Sequence, residues 1–287
     1  AAMLFATNQA ALISAFPPEK RGRVLGYLIA ATYTGLTAGP VLGGILNHSF
    51  GWRSIFVLTF VAGVITFVLS MKGLPTSPVA SREQEQSMDP LGILLYILVI
   101  VSMMYGLSAF KTEVFAKYLI PVSIALFLLF LRHELHVKSP VIQVRLFRRN
   151  ISYLLSNIAA FLNYGATSAL GYLLSLYLQL IRGFDSQTAG LILISQPLMM
   201  AILSPYAGRL SDRISPHKLA SFGMGLCALG LFLFIFISED CSLVFVVLPL
   251  AIVGLGFAFF SSPNTNAVMV CIEPRDYGVA SSILATM

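Results

Sequence analysis

Apolar blocks about 20 residues long recur along this chain, separated by short polar stretches. A helix of that length just crosses the ~30 Å hydrocarbon core of a bilayer. The blocks fall at about 1–16, 24–46, 54–73, 91–109, 117–132, 151–180, 187–206, 219–238 and 243–270, and a tenth begins near 277. They are continuous rather than alternating and much longer than a barrel strand, which argues against a transmembrane barrel. Charged residues make up 10% of the 287 residues and hydrophobic ones 57%, whereas soluble domains are about a quarter charged. So little charge cannot cover the surface of a water-soluble enzyme. The expected fold is an all-α membrane bundle of nine full spans and the start of a tenth, with the lipid bilayer as a partner.

Orientation follows from the positions of Lys and Arg. Alternate loops hold fourteen of them, in groups at Lys20–Arg23, Lys72–Arg82, Arg132–Arg149, Arg209–Lys218 and Arg275, and the remaining loops hold four: Arg53, Lys111, Lys117 and Arg182. The rich set is assigned to the cytoplasm. The net charge of +6 is therefore a topology signal spread over five loops, and no nucleic-acid partner is expected. Cys227, Cys241 and Cys271 show no CxxC or His-Cys spacing, so neither a disulfide framework nor a metal site is expected.

A weak repeat occurs at an offset of 256 residues, where Asn8, Ala11, Pro18 and Gly22 recur as Asn264, Ala267, Pro274 and Gly278. Each copy sits where a span descends into a short basic loop and a new one rises. Parallel repeats of bundle halves are a known transporter design. Eight helices separate the copies where two six-helix halves would give six, so two helices are inserted, and spans 91–109 and 117–132 fit. The expected organisation is 1–73 as the last three helices of an N-terminal bundle, 74–150 as cytoplasmic segments flanking the inserted pair, and 151–287 as a truncated C-terminal bundle. A parent of fourteen helices is implied, of which this chain holds the fourth to the twelfth and the start of the thirteenth.

The second span carries Gly26, Gly35, Gly39, Pro40, Gly43 and Gly44. Ala31, Gly35, Gly39 and Gly43 recur every four residues and line one helix face, where small side chains let another backbone approach closely. Pro40 removes one backbone donor and favours a kink. The expectation is a tightly packed pivot or seal, with ordinary membrane packing as the plain alternative. This pattern resembles the antiporter motif on the fifth helix of drug:proton antiporters of the major facilitator superfamily. Phe16–Arg23 resembles that family's loop between helices four and five, and Gly51–Phe56 the beginning of helix six. Ser139–Ile142 through Leu146–Asn150 resembles the lead-in to the C-terminal half in the fourteen-helix, EmrB/QacA-like branch.

Gly208, Leu210, Asp212, Arg213 and Lys218 lie in the loop after the seventh span and resemble the family's cytoplasmic loop motif, with Ser215 and Pro216 replacing its Gly-Arg. An Asp there can cap and charge-complement a helix N-terminus. Arg213 and Lys218 can pair with a neighbouring helix, and a positive-inside turn is the plain alternative. All twelve acidic residues fall in loops or at span ends, so no proton carrier of the usual intramembrane kind is visible. Uncharged polarity remains inside: Asn157, Asn163, Tyr164, Gln179, Gln196, Asn264 and Asn266. These are candidate cavity residues, or partners in interhelical hydrogen bonds. His48, His133, His136 and His217 are placed at membrane edges.

The resemblance implies a multi-pass plasma (inner) membrane transporter, not an enzyme, that exports small hydrophobic or cationic molecules by alternating access. The proton gradient drives it without a cofactor, and no obligatory protein partner is evident. An importer, a specific metabolite or siderophore exporter of the same fold, and an inert truncated fragment stay open.

Overall fold

The computed structural model describes residues 2–73, 89–137, 140–142, 144–238, 241–273 and 277–286. Arg82, Glu83 and Glu85 of the first cytoplasmic stretch, Lys138, Ser139, and Pro274 and Arg275 of the second repeat copy lie outside them. Every regular element among the described residues is helical: α1 (Ala2–Ala15), α2 (Arg21–Phe50), α3 (Arg53–Gly73), α4 (Pro90–Ser108), α5 (Val114–His136), α6 (Val144–Arg149), α7 (Ile151–Leu176), α8 (Ser186–Leu193), α9 (Ser195–Ser211), α10 (Pro216–Leu233), α11 (Val244–Val270) and α12 (Tyr277–Thr286). Seven helical stretches are long and apolar enough to cross a membrane: Pro18–Phe50, Arg53–Gly73, Pro90–Ser108, Val114–His136, Ser186–Ser211, Pro216–Phe236 and Val244–Val270. The chain is a multi-pass helical membrane protein. At 26 residues α7 is long enough as well, but its run of Ser, Asn, Tyr and Thr keeps it out of that apolar set.

Three local features differ from the periodicity reading. The seventh span is two helices, α8 and α9, interrupted at Ile194. The sixth owes its length to a π-helical turn, Tyr177–Ile181, that prolongs α7. The short α6 lies in a basic stretch read as cytoplasmic linker. α2 continues unbroken through Pro40.

The chain divides into two compact units, one of residues 1–74 with 155–287 and the other of residues 75–154. In the larger unit, α11 is the central helix, and every residue from Ser261 to Met269 is buried. It meets α10 backbone to backbone. A Cβ on Gly223 would lie 2.5 Å from the Phe260 nitrogen, and one on Gly256 2.5 Å from the Cys227 nitrogen, so only glycine fits at either position. α1 packs on α12, and Ile13 on α1 and Ala280, Ile283 and Leu284 on α12 are buried. α3 has no buried residue. Its outward Phe and Val side chains are stable in lipid, which is as apolar as they are.

The smaller unit is a hairpin of α4 and α5 followed by α6. Gly106 lets the two helices close together, since a Cβ there would sit 3.2 Å from the Ala116 carbonyl oxygen. Tyr96 and Phe130 pack ring to ring across the pair at 5.7 Å. Asp89 caps α4, its Oδ1 accepting the Gly92 amide at 2.9 Å.

Candidate functional site

The functional geometry is laid out along α2. Its first turn is cytoplasmic by the charge bias, and there it is clamped to α9 with no room for a side chain. A Cβ on Gly26 would lie 2.5 Å from the Ser204 carbonyl oxygen, and one on Gly208 would lie 2.8 Å from the Gly26 Cα. Asp212, the C-cap of α9, completes the clamp. Its Oδ1 accepts the Gly22 amide at 2.7 Å and its Oδ2 the Arg23 amide at 2.9 Å. The carboxylate thus binds two of the unpaired donors in the first turn of α2, where a helix also presents positive dipole charge. Burial pushes the Asp212 carboxyl above the usual Asp range, outweighing the lowering by the Arg23 and Gly22 amides and the Arg23 charge. The Asp the sequence reading expected to cap a helix does so, across the interface between two bundle segments.

Further contacts reinforce this face. Ser262 on α11 donates to the Gly22 carbonyl at 3.2 Å, and Asn266 donates to the Ser211 hydroxyl at 3.4 Å. Arg209 bonds the Tyr27 hydroxyl and lies over its ring, 5.6 Å from the centroid. Arg21 donates to the Tyr277 hydroxyl at 2.9 Å while its guanidinium lies 5.3 Å from that ring centroid. The two residues stand 256 positions apart, the offset of the sequence repeat. Equivalent positions of the two repeat copies are thus in direct contact. Arg213 and Lys218 are exposed and make no ion pair among the described residues. Pro216, in place of the motif's arginine, occupies the first turn of α10, where its missing N–H costs nothing.

About 10 Å along α2 from Gly26, at 1.5 Å per residue, an aromatic layer fills the middle of the unit. Tyr33 packs on Phe257 of α11 with centroids 5.8 Å apart, and Tyr164 of α7 packs on the same ring at 5.3 Å. Met200 and Cys227 close the cluster. Beyond it α2 parts from α8 and α9, and a cavity of about 1000 Å³ opens. Leu36, Val41, Gly44 and Ile45 face Leu191, Leu193, Ile194 and Pro197 across it, with His48, Ser49, Ser186 and Gln187 among the polar lining residues. A Cβ on Gly35, Gly39 or Gly44 would meet nothing within 4 Å, and one on Gly43 only the tip of Ile55 at 4.0 Å. Among the described residues, the close approach that the four-residue stripe implied is made by Gly22 and Gly26, and the stripe itself is open.

The seven polar residues singled out as cavity candidates do not line this cavity. Asn264 donates to the Ser156 carbonyl at 3.2 Å, tying α11 to α7. With Asn266 on Ser211, it acts as an interhelical tie at the cytoplasmic half. Asn157 and Asn163 are buried on α7, and Tyr164 meets the Ser261 hydroxyl at 3.4 Å. Gln179 bonds Ser175 at 2.8 Å in the π turn. Gln196 offers its backbone to Gly254, where a Cβ would lie 2.5 Å from the Gln196 carbonyl oxygen. His48, assigned to the membrane edge, lines the cavity, and His133, assigned likewise, bonds Asp89 at 2.8 Å. A histidine's position in a span was readable, but its partner was not.

The family model described as Major Facilitator Superfamily matches residues 1–287, the whole chain. The riboflavin transporter RibZ of Clostridioides difficile (strain 630) is 30% identical over 287 residues, which cover 100% of this chain and 62% of the relative. The multidrug resistance protein Stp of Mycobacterium tuberculosis (strain ATCC 25618 / H37Rv) is 30% identical over 294 residues, covering 99% of this chain and 53% of the relative. The uncharacterized transporter YebQ of Escherichia coli (strain K12) is 26% identical over 290 residues, covering 99% and 62%. The chain thus spans between about half and three fifths of the length of the curated relatives it matches.

Proposed function

Because the chain belongs to the major facilitator superfamily, we propose that the whole protein is a secondary active transporter and that this structure is its outward-facing state. One observation carries the reading: α2 is sealed against α9 at its cytoplasmic end and stands apart from α8 and α9 at its outer end. A transporter of this design opens to one side at a time around a fixed site. The cavity wall is mostly apolar, with an imidazole, hydroxyls and an amide. Such a lining suits hydrophobic or cationic small molecules, and export in exchange for protons is the direction the antiporter-like glycine pattern supports. The inserted α4–α5 hairpin supports placement in the fourteen-helix branch, and the proton gradient supplies the energy without a cofactor.

Switching needs a surface that can close where the cavity now lies. Gly44 on α2 and Gly190 on α8 both line the cavity, and a Cβ on either meets nothing within 4 Å. On closure these glycines let the outer halves meet as Gly26 and Gly208 meet at the inner end, while Asp212 releases the first turn of α2. The glycine stripe then serves the inward-facing state, not the one seen.

A second reading, a specific metabolite transporter, is favoured by the relative named as a riboflavin transporter, which matches the chain from end to end. Accumulation assays in cells expressing the full-length protein separate the two. The multidrug reading predicts reduced accumulation of a cationic dye, restored by a protonophore. Unchanged dye accumulation with altered riboflavin flux establishes the second reading instead.

A further inference from the structure

The α4–α5 hairpin holds a pair of acids that the transport reading does not use. Glu134, near the end of α5, is 2% exposed. Its Oε2 accepts the Ile142 amide at 2.9 Å, and its Oε1 is buried with no hydrogen-bond partner. Asp89, at the start of α4, is also buried. Its oxygens lie 2.8 and 3.1 Å from the His133 Nε2, and Oδ1 also accepts the Gly92 amide at 2.9 Å. Both carboxyls press on one glycine: a Cβ on Gly92 would lie 2.5 Å from the Asp89 Oδ2 and 2.8 Å from the Glu134 Oε1.

Two carboxyls in one buried site do not both ionise, and the one with fewer donors keeps the proton. The Gly92 amide, with His133 beside it, holds the Asp89 carboxyl below the usual Asp range against the opposing effect of burial. Asp89 therefore carries the charge. His133, when protonated, also acts on Glu134 and favours its ionised form, but its Nε2 is engaged by Asp89, and the other described ionisable groups of this end lie in solvent. Arg132 and Arg148 are exposed, and the exposed His136 turns its Nδ1 onto the Arg132 carbonyl at 2.7 Å. No group of three side chains among the described residues is arranged to hold a metal ion.

We propose that Glu134 and Asp89 form a proton-binding pair, in which Glu134 keeps its proton on Oε1, facing Asp89, while Oε2 holds the Ile142 amide. Loss of that proton sets two negative charges against one glycine, Gly92, and tightens the hold of Glu134 on the Ile142 amide, because an ionised carboxylate is the stronger acceptor. This reading does not depend on the direction or substrate of transport.

Infrared difference titration of the full-length protein in lipid nanodiscs tests the pair. The wild type should show a protonated-carboxyl band at pH 7 that Glu134→Gln removes. Asp89→Asn should move its midpoint down by roughly one pH unit or more, because the like charge is gone. Absence of the band, its survival in Glu134→Gln, or an unmoved midpoint in Asp89→Asn overturns the proposal. Hydrogen exchange of the wild type tests the pair without relying on a variant. Protection at Ile142, corrected for intrinsic rate, should rise as pH rises through the band's midpoint, because its amide donates to Glu134 and an ionised carboxylate accepts more strongly; falling or constant protection overturns the pair.

Discussion

Asp212 sets the strength of the cytoplasmic seal through two opposing effects. Its two oxygens pair with two amides of α2, yet the same packing takes its charge out of water. Burial is the larger effect, so its folded pKa lies above its water-exposed value. A raised acid pKa contributes stability that is complete below the unfolded value and is lost as pH rises through the folded one. The clamp should therefore tighten on acidification across the Asp range and loosen above it, read as a spin-label distance between the cytoplasmic ends of α2 and α9. Asp212→Asn should flatten that dependence while keeping only one of the two amide bonds, because its Nδ2 is a donor and cannot accept the second amide. Asp212→Ala leaves both amides unpaired and should weaken closure by roughly 1 kcal/mol, the usual cost of losing a helix cap. The capping role was legible because an acid after a cytoplasmic helix end has few other uses. Which helix it caps was not, since Gly22 and Arg23 lie 190 and 189 residues away. The Asp89–His133–Glu134 cluster stayed hidden for the same reason: its members meet only through the register of the hairpin.

At the scale of the element, glycines with identical spacing signals divide into two kinds. Gly256 and Gly223 hold α10 and α11 at backbone contact, whereas a Cβ on Gly225 meets nothing within 4 Å. Gly256→Ala should cost roughly 1–3 kcal/mol by overpacking. Gly225→Ala should be neutral or stabilise by up to about 1 kcal/mol, because alanine is the better helix former. Thermal unfolding of the purified protein compares them. The same division runs along α2. Gly26→Leu should prevent closure against Ser204, visible as lost cross-linking between α2 and α9, while Gly39→Leu should leave that cross-linking intact. Loss of export in a Gly39→Leu full-length protein then reports the opposite, inward-facing state. Helix existence and boundaries were readable within a few residues because membrane spans are long and nearly uniform. The break at Ile194 follows from Pro197, which has no N–H to give the Leu193 carbonyl four residues earlier, a signal the apolar-run reading passed over; the π turn at 177–181 carries no proline or glycine.

For the whole molecule, the sequence repeat and the helix contacts meet at one place, where Arg21 touches Tyr277. The 256-residue offset was legible from four identities and a shared place in the topology. Its meaning became physical only when Arg21 was found on Tyr277, its own counterpart. α2 is tightly packed at Gly22 and Gly26 and lines an open cavity at its other end, as the central claim, the proposed outward-facing state, requires. Site-directed thiol labelling tests it most directly, in the full-length protein with Cys227, Cys241 and Cys271 replaced by serine. Gly44→Cys should react with a membrane-impermeant maleimide added outside, while Leu25→Cys, at a position 1% exposed on the sealed face, should resist the same reagent added from the cytoplasmic side. Reactive Leu25→Cys together with protected Gly44→Cys would contradict the claim.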